Sequence, residues 1–182
     1  MESRILAAIE EQIAVKFTGK VNILASYNRQ FLGHVLFING ELIHVFFNKH
    51  MGLKAFYHLL IQEYSLQSFD YVVEPELVEE KDRQIHYPYA VLKNKLSGVL
   101  KLYKDSLKEK PPENIKILIE ANFLKSKEPV TSHEFDVLST LTEWAKPNDV
   151  YLNCNLLDHE ITHALVSLRK KKALKIIAPR QE

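Results

Sequence analysis

Apolar and polar positions change rhythm several times along the chain, and each rhythm predicts an element. Ile5, Leu6, Ile9 and Ile13 recur at helical spacing, with Arg4, Glu10, Glu11 and Gln12 at the other positions. That pattern predicts an amphipathic helix lying on one face of a sheet. Over 20–25 the sequence KVNILA alternates up to Leu24, as a half-buried strand does, and 26–29 (SYNR) reads as a turn. Residues 33–48 read GHVLFINGELIHVFFN, two β-branched and aromatic runs joined by Asn39-Gly40. This dipeptide suits a type I′ hairpin turn, in which both central residues take positive φ. Three strands in succession predict an antiparallel meander. After a break at NKHMG, Leu53, Phe56, Leu59 and Leu60 mark a short amphipathic helix. Phe69, Tyr71 and Val73 then give a last strand, ended by Glu74-Pro75.

Residues 78–89 are charged and contain Pro88, which predicts a linker. Leu92, Leu96, Val99, Tyr103 and Leu107 follow at steps of four, three, four and four, the stripe of a helix packed on another helix. It packs either on its own domain or on a second copy as a homodimer, and it stops before Pro111-Pro112. From Ile115 the signals restart with a short strand segment, ILIEA. Thr131 and Glu134 have the spacing of a capping box, opening a helix whose stripe reads Phe135, Leu138, Leu141 and Ala145. Pro147-Asn148-Asp149 ends that helix, and a brief segment, VYLNCN, precedes a longer helix over 158–172. An apolar strand, LKIIA, follows and is closed by Pro179. Helix, short helix, longer helix and strand is the order of winged-helix domains. The expected fold class is therefore α+β: an antiparallel-sheet domain with flanking helices over 1–77, a linker and connector helix over 78–112, and a winged-helix-like domain over 113–182.

Thr18-Gly19, Gly33, Phe37, Asn39-Gly40 and Ile43-His44, with Gly52, Ala55, Leu59-Leu60 and Phe69, give the first half a pattern that resembles the PATAN-like family. This is a bacterial domain often joined to response-regulator receiver domains. Such proteins often carry a winged-helix-like tail, and VTSHEFDVLSTL resembles its first helix. The resemblance implies a non-enzymatic signalling or motility adaptor acting through protein partners, with no catalytic residues to carry over.

Composition narrows the class further. With 46% hydrophobic and 26% charged residues among 182, the chain is built like an ordinary globular protein. A formal charge of +1 argues against a chain made mainly to hold polyanions. Cys154 is the only cysteine, so it makes no intrachain disulfide and reads as a small core residue. The opening MESRILAAIEEQ lacks a basic region followed by an apolar core, and no apolar run reaches bilayer length. A cytoplasmic protein without membrane insertion is expected.

Two motifs keep rival chemistries open. His159, Glu160 and His163 form H-E-x-x-H, which in zinc peptidases sets two imidazoles one turn apart around a metal with the glutamate as base. Val166 and Arg169 stand where the extended motif has glycine and histidine, and the only acidic residue after His163 is Glu182. With Leu157, Ile161, Ala164, Leu165 and Leu168 as the apolar face, both histidines are expected on the solvent side. Arg169, Lys170, Lys171, Lys172 and Lys175 form the strongest basic cluster, which suits a nucleic-acid-binding regulator. Asp158 and Glu160 would oppose phosphates at the start of the same helix, and cations at its end are also favoured by the macrodipole. His34, His44, His50, His58, His86 and His133 show no metal-ligand spacing, and the five glycines form no phosphate loop. No catalytic, cofactor-binding or metal residue is assigned. Phe46 and Phe47 must point to opposite faces of a strand. One of them is expected under the N-terminal or connector helix, or else on an aromatic docking surface.

Overall fold

The structure, a computed structural model, describes residues 3–65 and 68–178. Pro179, Glu182 and the first two residues of the opening segment lie outside these. The chain divides into two compact units, 1–100 and 101–182.

In the first unit α1 (Arg4–Ala14) is followed by β1 (Gly19–Ala25), β2 (Phe31–Ile38), β3 (Glu41–Phe47), the two-residue β4 (His50–Met51), α2 (Gly52–Tyr64) and β5 (Phe69–Pro75). The strands form an antiparallel sheet in the order β4-β3-β2-β1-β5, so the expected meander is present. Period-two alternation sends Val21, Ile23, Val35, Phe37, Val45 and Phe47 to one face, all buried. Ile5, Ala8 and Ile9 of α1 and Ala55, Phe56 and Leu59 of α2 complete that core.

The hairpin turn is of the expected kind. Asn39 and Gly40 have φ of 49° and 79°, and Ile38 pairs directly with Glu41. The turn is pinned to the segment after α1: the Asn39 N–H donates to Thr18 Oγ1 at 2.9 Å and the Gly40 N–H to the Phe17 carbonyl at 2.8 Å. A Cβ on Gly40 would come within 2.7 Å of the Ile13 carbonyl. A Cβ on Gly33 would run into the Phe46 carbonyl across the ladder. At Gly33 and Gly40, then, a side chain would collide with neighbouring backbone.

A bulge in β3 breaks the alternation there. Leu36 pairs with His44 and Phe37 with Leu42, leaving Ile43 as the extra residue, so Leu42 and Ile43 are both buried. The Ile43 carbonyl then accepts from Gln84 N at 2.9 Å and Ile85 N at 2.8 Å. A short 3-10 turn over Glu80–Asp82 precedes this contact, Arg83 binds Glu41 and Glu80, and Ile85 is buried. The stretch expected as a linker is therefore a strap along the β3 edge, held because the bulged carbonyl needs donors.

The helix α3 (Tyr89–Ser106) begins in the first unit and ends in the second. Its Tyr89 hydroxyl and Lys93 bind Glu10 of α1, and the Leu92 carbonyl accepts from Tyr57 of α2 at 3.3 Å. Leu92 and Leu96 are buried. The first half of the leucine stripe thus packs on its own unit; Leu107 is exposed.

The second unit runs β6 (Lys116–Ile119), α4 (Ala121–Lys125), α5 (Ser132–Leu141), α6 (Pro147–Asn153), α7 (Asp158–Lys170) and β7 (Leu174–Ile177). Its core is made by Ile117, Val137, Leu138, Leu141, Val150, Tyr151, Ile161, Leu165 and Leu168, with Cys154 buried among them. The α5-α6-α7-β7 order matches the winged-helix expectation. The partner of β7, however, is β6 from the start of the unit, so its sheet joins first and last strands. Phe135 departs from its expected place and is 62% exposed. The inward positions of α5 are Glu134, Val137, Leu138 and Leu141, an i, i+3, i+4, i+7 set that leaves Phe135 one step around the helix. Ala145 lies beyond the helix end.

Candidate functional site

The sheet of the first unit has a second face. Antiparallel pairing puts Asn22 beside His34, His34 beside Phe46, Lys20 beside Leu36, Leu36 beside His44, and Leu24 beside Asp70. These residues, with Ile38 and Val72, are all half-buried. Phe31 and Met51, 50% and 54% exposed, stand at its margins. The three helices of this unit gather on the opposite face: Phe47 packs on Phe69 and on His58 of α2, while α1 and α3 pack beside α2. Phe46 is therefore the aromatic left outside the core. The expectation that the N-terminal or connector helix covers it is not met, because α1 and α3 both pack beside α2 on the Phe47 side.

Two imidazoles sit at the centre of this outer face. The His34 ring lies 5.6 Å from His44, 5.8 Å from Phe46 and 6.3 Å from Phe31. Burial pushes the His34 pKa below its ordinary value, helped by His44 and Lys20 and opposed by Glu76. His44 is pushed the same way by burial, against Asp82. Both rings are thus predominantly neutral at pH 7. His44 Nδ1 is buried with no hydrogen-bond partner among the described residues. Lys20, the cation of the face, is bound by Glu76 at 2.8 Å and Glu74 at 3.3 Å. The result is a broad, weakly charged surface of aliphatic, aromatic and neutral imidazole groups. Chemically it is suited to burying against another protein rather than to holding a small charged substrate.

The sequence carried a signal for this face that the histidine spacings did not expose. In GHVLFIN the buried set Val35 and Phe37 alternates with His34, Leu36 and Ile38, so both faces of the hairpin are apolar. A sheet with one solvated face would show polar residues there.

Of the other histidines of this unit, His86 is exposed, whereas His50 and His58 serve packing. His50 stands 5.0 Å from His58 and is buried, and His58 contacts Gln62 at 2.7 Å. Burial, with the charges of Lys54 and His58, pushes His50 down to about 4.

The H-E-x-x-H residues lie on α7, but not as expected. His159 is buried, against the expectation of two solvent-facing rings, while His163 is exposed. The buried arc of α7 is wider than its apolar stripe: Thr162, one turn beyond His159, is also buried and bonds Tyr151 of α6 at 2.7 Å. The rings of His159 and His163 are 6.4 Å apart and nearly perpendicular. Burial pushes the His159 pKa down, and its Nδ1 has no partner among the described residues. The Glu160 carboxylate accepts the Leu157 N–H at 2.8 Å and so caps the helix. Among the described residues no three His, Cys, Asp or Glu side chains gather as a metal-ligand set.

The basic cluster is divided. Lys171 binds the buried Glu134 carboxylate at 2.8 Å and the Pro129 carbonyl at 2.9 Å. Arg169, Lys170, Lys172 and Lys175 make no ion pair among the described residues. Asp158 and Glu160 occupy the first turn of α7, as the sequence requires.

No protein-family model, curated protein or solved structure matches the chain. Among the described residues no helix is long and apolar enough to cross a membrane.

Proposed function

We propose that this protein is a non-enzymatic adaptor of the signalling or motility type, working through protein contacts, and that the outer face of the five-stranded sheet is its main docking surface. The observation that supports this most is the character of that face: Leu24, Leu36, Ile38, Phe46 and Val72 half-exposed around two neutral imidazoles, with the helices of the unit gathered on the other side. Such a surface gains from desolvation when a partner covers it. The resemblance to the PATAN-like family implies the same class of function.

The test is affinity purification followed by loss of the recovered partner. Leu36→Glu with Phe46→Glu should abolish recovery while the circular dichroism spectrum is kept, because neither side chain is part of the inner core. Burying a new carboxylate in an interface costs several kcal/mol unless it is paired, which is enough to remove a micromolar complex. Full recovery of the same partner by the folded double variant would refute the assignment of this face.

A further inference from the structure

The second unit carries a groove that the adaptor reading does not use. Its floor is the apolar surface of Ile115, Ile117, Leu174 and Ile176, with Leu165 and Val166 of α7 on one side. The opposite wall is the segment 108–112, where Lys110 lies 4.6 Å over the buried Tyr151 ring and Pro111-Pro112 stiffens the backbone. The groove holds about 410 Å³, room for a few apolar side chains.

Charge is distributed unevenly around it. Lys108, Lys110 and Arg169 stand on the lining with one carboxylate, Glu109. Lys108 and Arg169 make no ion pair among the described residues, and Lys170, Lys172 and Lys175 extend the positive field around the end of α7. A helix macrodipole accounts for Arg169 and Lys170 in the last turn, but not for Lys108 and Lys110 across the groove or for Lys175 on β7. Nor does it account for an apolar floor: Ile176 is 42% exposed within a ring of cations.

We infer that this groove is a docking site for an acidic amphipathic segment of a partner protein. Apolar side chains of that segment fill the floor, and its carboxylates meet Lys108, Lys110 and Arg169. Duplex nucleic acid suits the same cations less well. The groove floor offers phosphates no donor, Glu109 stands on the rim, and Asp158 and Glu160 occupy the start of α7, where base contacts are usually made. The groove lies wholly within the second unit, so this inference stands or falls separately from the docking face on the sheet.

The experiment uses the full chain and a fluorescein-labelled model peptide. The peptide carries leucines at i, i+3, i+4 and i+7 with glutamates elsewhere. A second peptide has lysine in place of every glutamate. Fluorescence anisotropy should give saturable binding of the acidic peptide and at least about tenfold weaker binding of the basic one. In methyl-labelled protein, the shifts should concentrate on Ile115, Ile117, Leu174 and Ile176. Arg169→Glu and Ile176→Glu, both at exposed positions, should each weaken the acidic peptide at least about tenfold. Leu124→Glu, an equally drastic change at a 67% exposed site outside the groove, should leave binding unchanged. Absence of saturable binding, equal binding of both peptides, or methyl shifts away from the groove would overturn the inference. Displacement of the peptide by duplex DNA at matched salt would also overturn it, assigning the cations to nucleic acid.

Discussion

Glu134 carries several structural duties through one carboxylate. Its capping box with Thr131 was legible, because Thr131-x-x-Glu134 is a local pattern and both of its hydrogen bonds are formed, at 2.7 and 3.2 Å. The bonds from Ser167 at 2.7 Å and from Lys171 at 2.8 Å were not, since those residues stand 33 and 37 positions away. Burial would raise the pKa of this carboxyl, but the bonds from Lys171, the Thr131 N–H and Ser167 outweigh it and hold the group at about 2. A depressed carboxyl stabilises the fold above its ordinary pKa and loses that contribution as pH falls from about 5 toward 2, a change on the order of 3 kcal/mol. Trp144, the single tryptophan, lies in the second unit and reports on it. Urea unfolding followed by Trp144 fluorescence should show a steeper loss of stability from pH 5 to pH 3 in the natural protein than in Glu134→Ala. Equal slopes would mean that the carboxyl is not held down. His159 illustrates the opposite lesson. The apolar face of its helix was read correctly, yet the buried arc of α7 reaches round to His159 and Thr162, and the apolar positions of α7 alone do not encode that.

At the scale of elements, helices and long strands followed directly from periodicity, and the short or irregular pieces did not. The two-residue β4, the single-turn α4 and the 3-10 turn have too few residues to establish a period. The bulge at Ile43 is invisible for a related reason. Leu42-Ile43 reads as a slip in alternation, and only the partner strand reveals which residue is extra. That bulge makes 82–85, within the charged stretch 78–89 read as a linker, into a strap, and Ile85 is its anchor at 1% exposure. Ile85→Ala should destabilise the first unit by about 2–5 kcal/mol, the cost of truncating a buried isoleucine, whereas a true linker position would change stability by less than about 0.5 kcal/mol. Chemical denaturation followed by tyrosine fluorescence and circular dichroism distinguishes the two outcomes. Spacing identified the leucine stripe of α3 as a packed face, and its first half, Leu92 and Leu96, is buried in the first unit, beside Tyr57 of α2.

For the whole molecule, the α+β class was legible from the order of rhythms. The division between the two compact units falls within α3, at residue 100, inside the stretch 78–112 read as linker and connector helix. In the fold, residues of the short motifs take separate structural places. Glu160 is a helix cap, His159 is a buried ring, and Lys171 is the counterion of Glu134. What the fold leaves available is surface: an apolar, imidazole-centred sheet face in the first unit and a cation-rimmed groove in the second. Both are continuous only after strands and helices are placed, because their residues come from separate segments of the chain. The central claim is that the sheet face contacts a protein partner, and site-specific photo-cross-linking in cells tests it most directly. A photoreactive phenylalanine derivative at Phe46 should give a discrete adduct with a partner, whereas the same group at Val15, 66% exposed at the end of α1, should not. No adduct at Phe46, or the same adducts from both positions, would contradict the account.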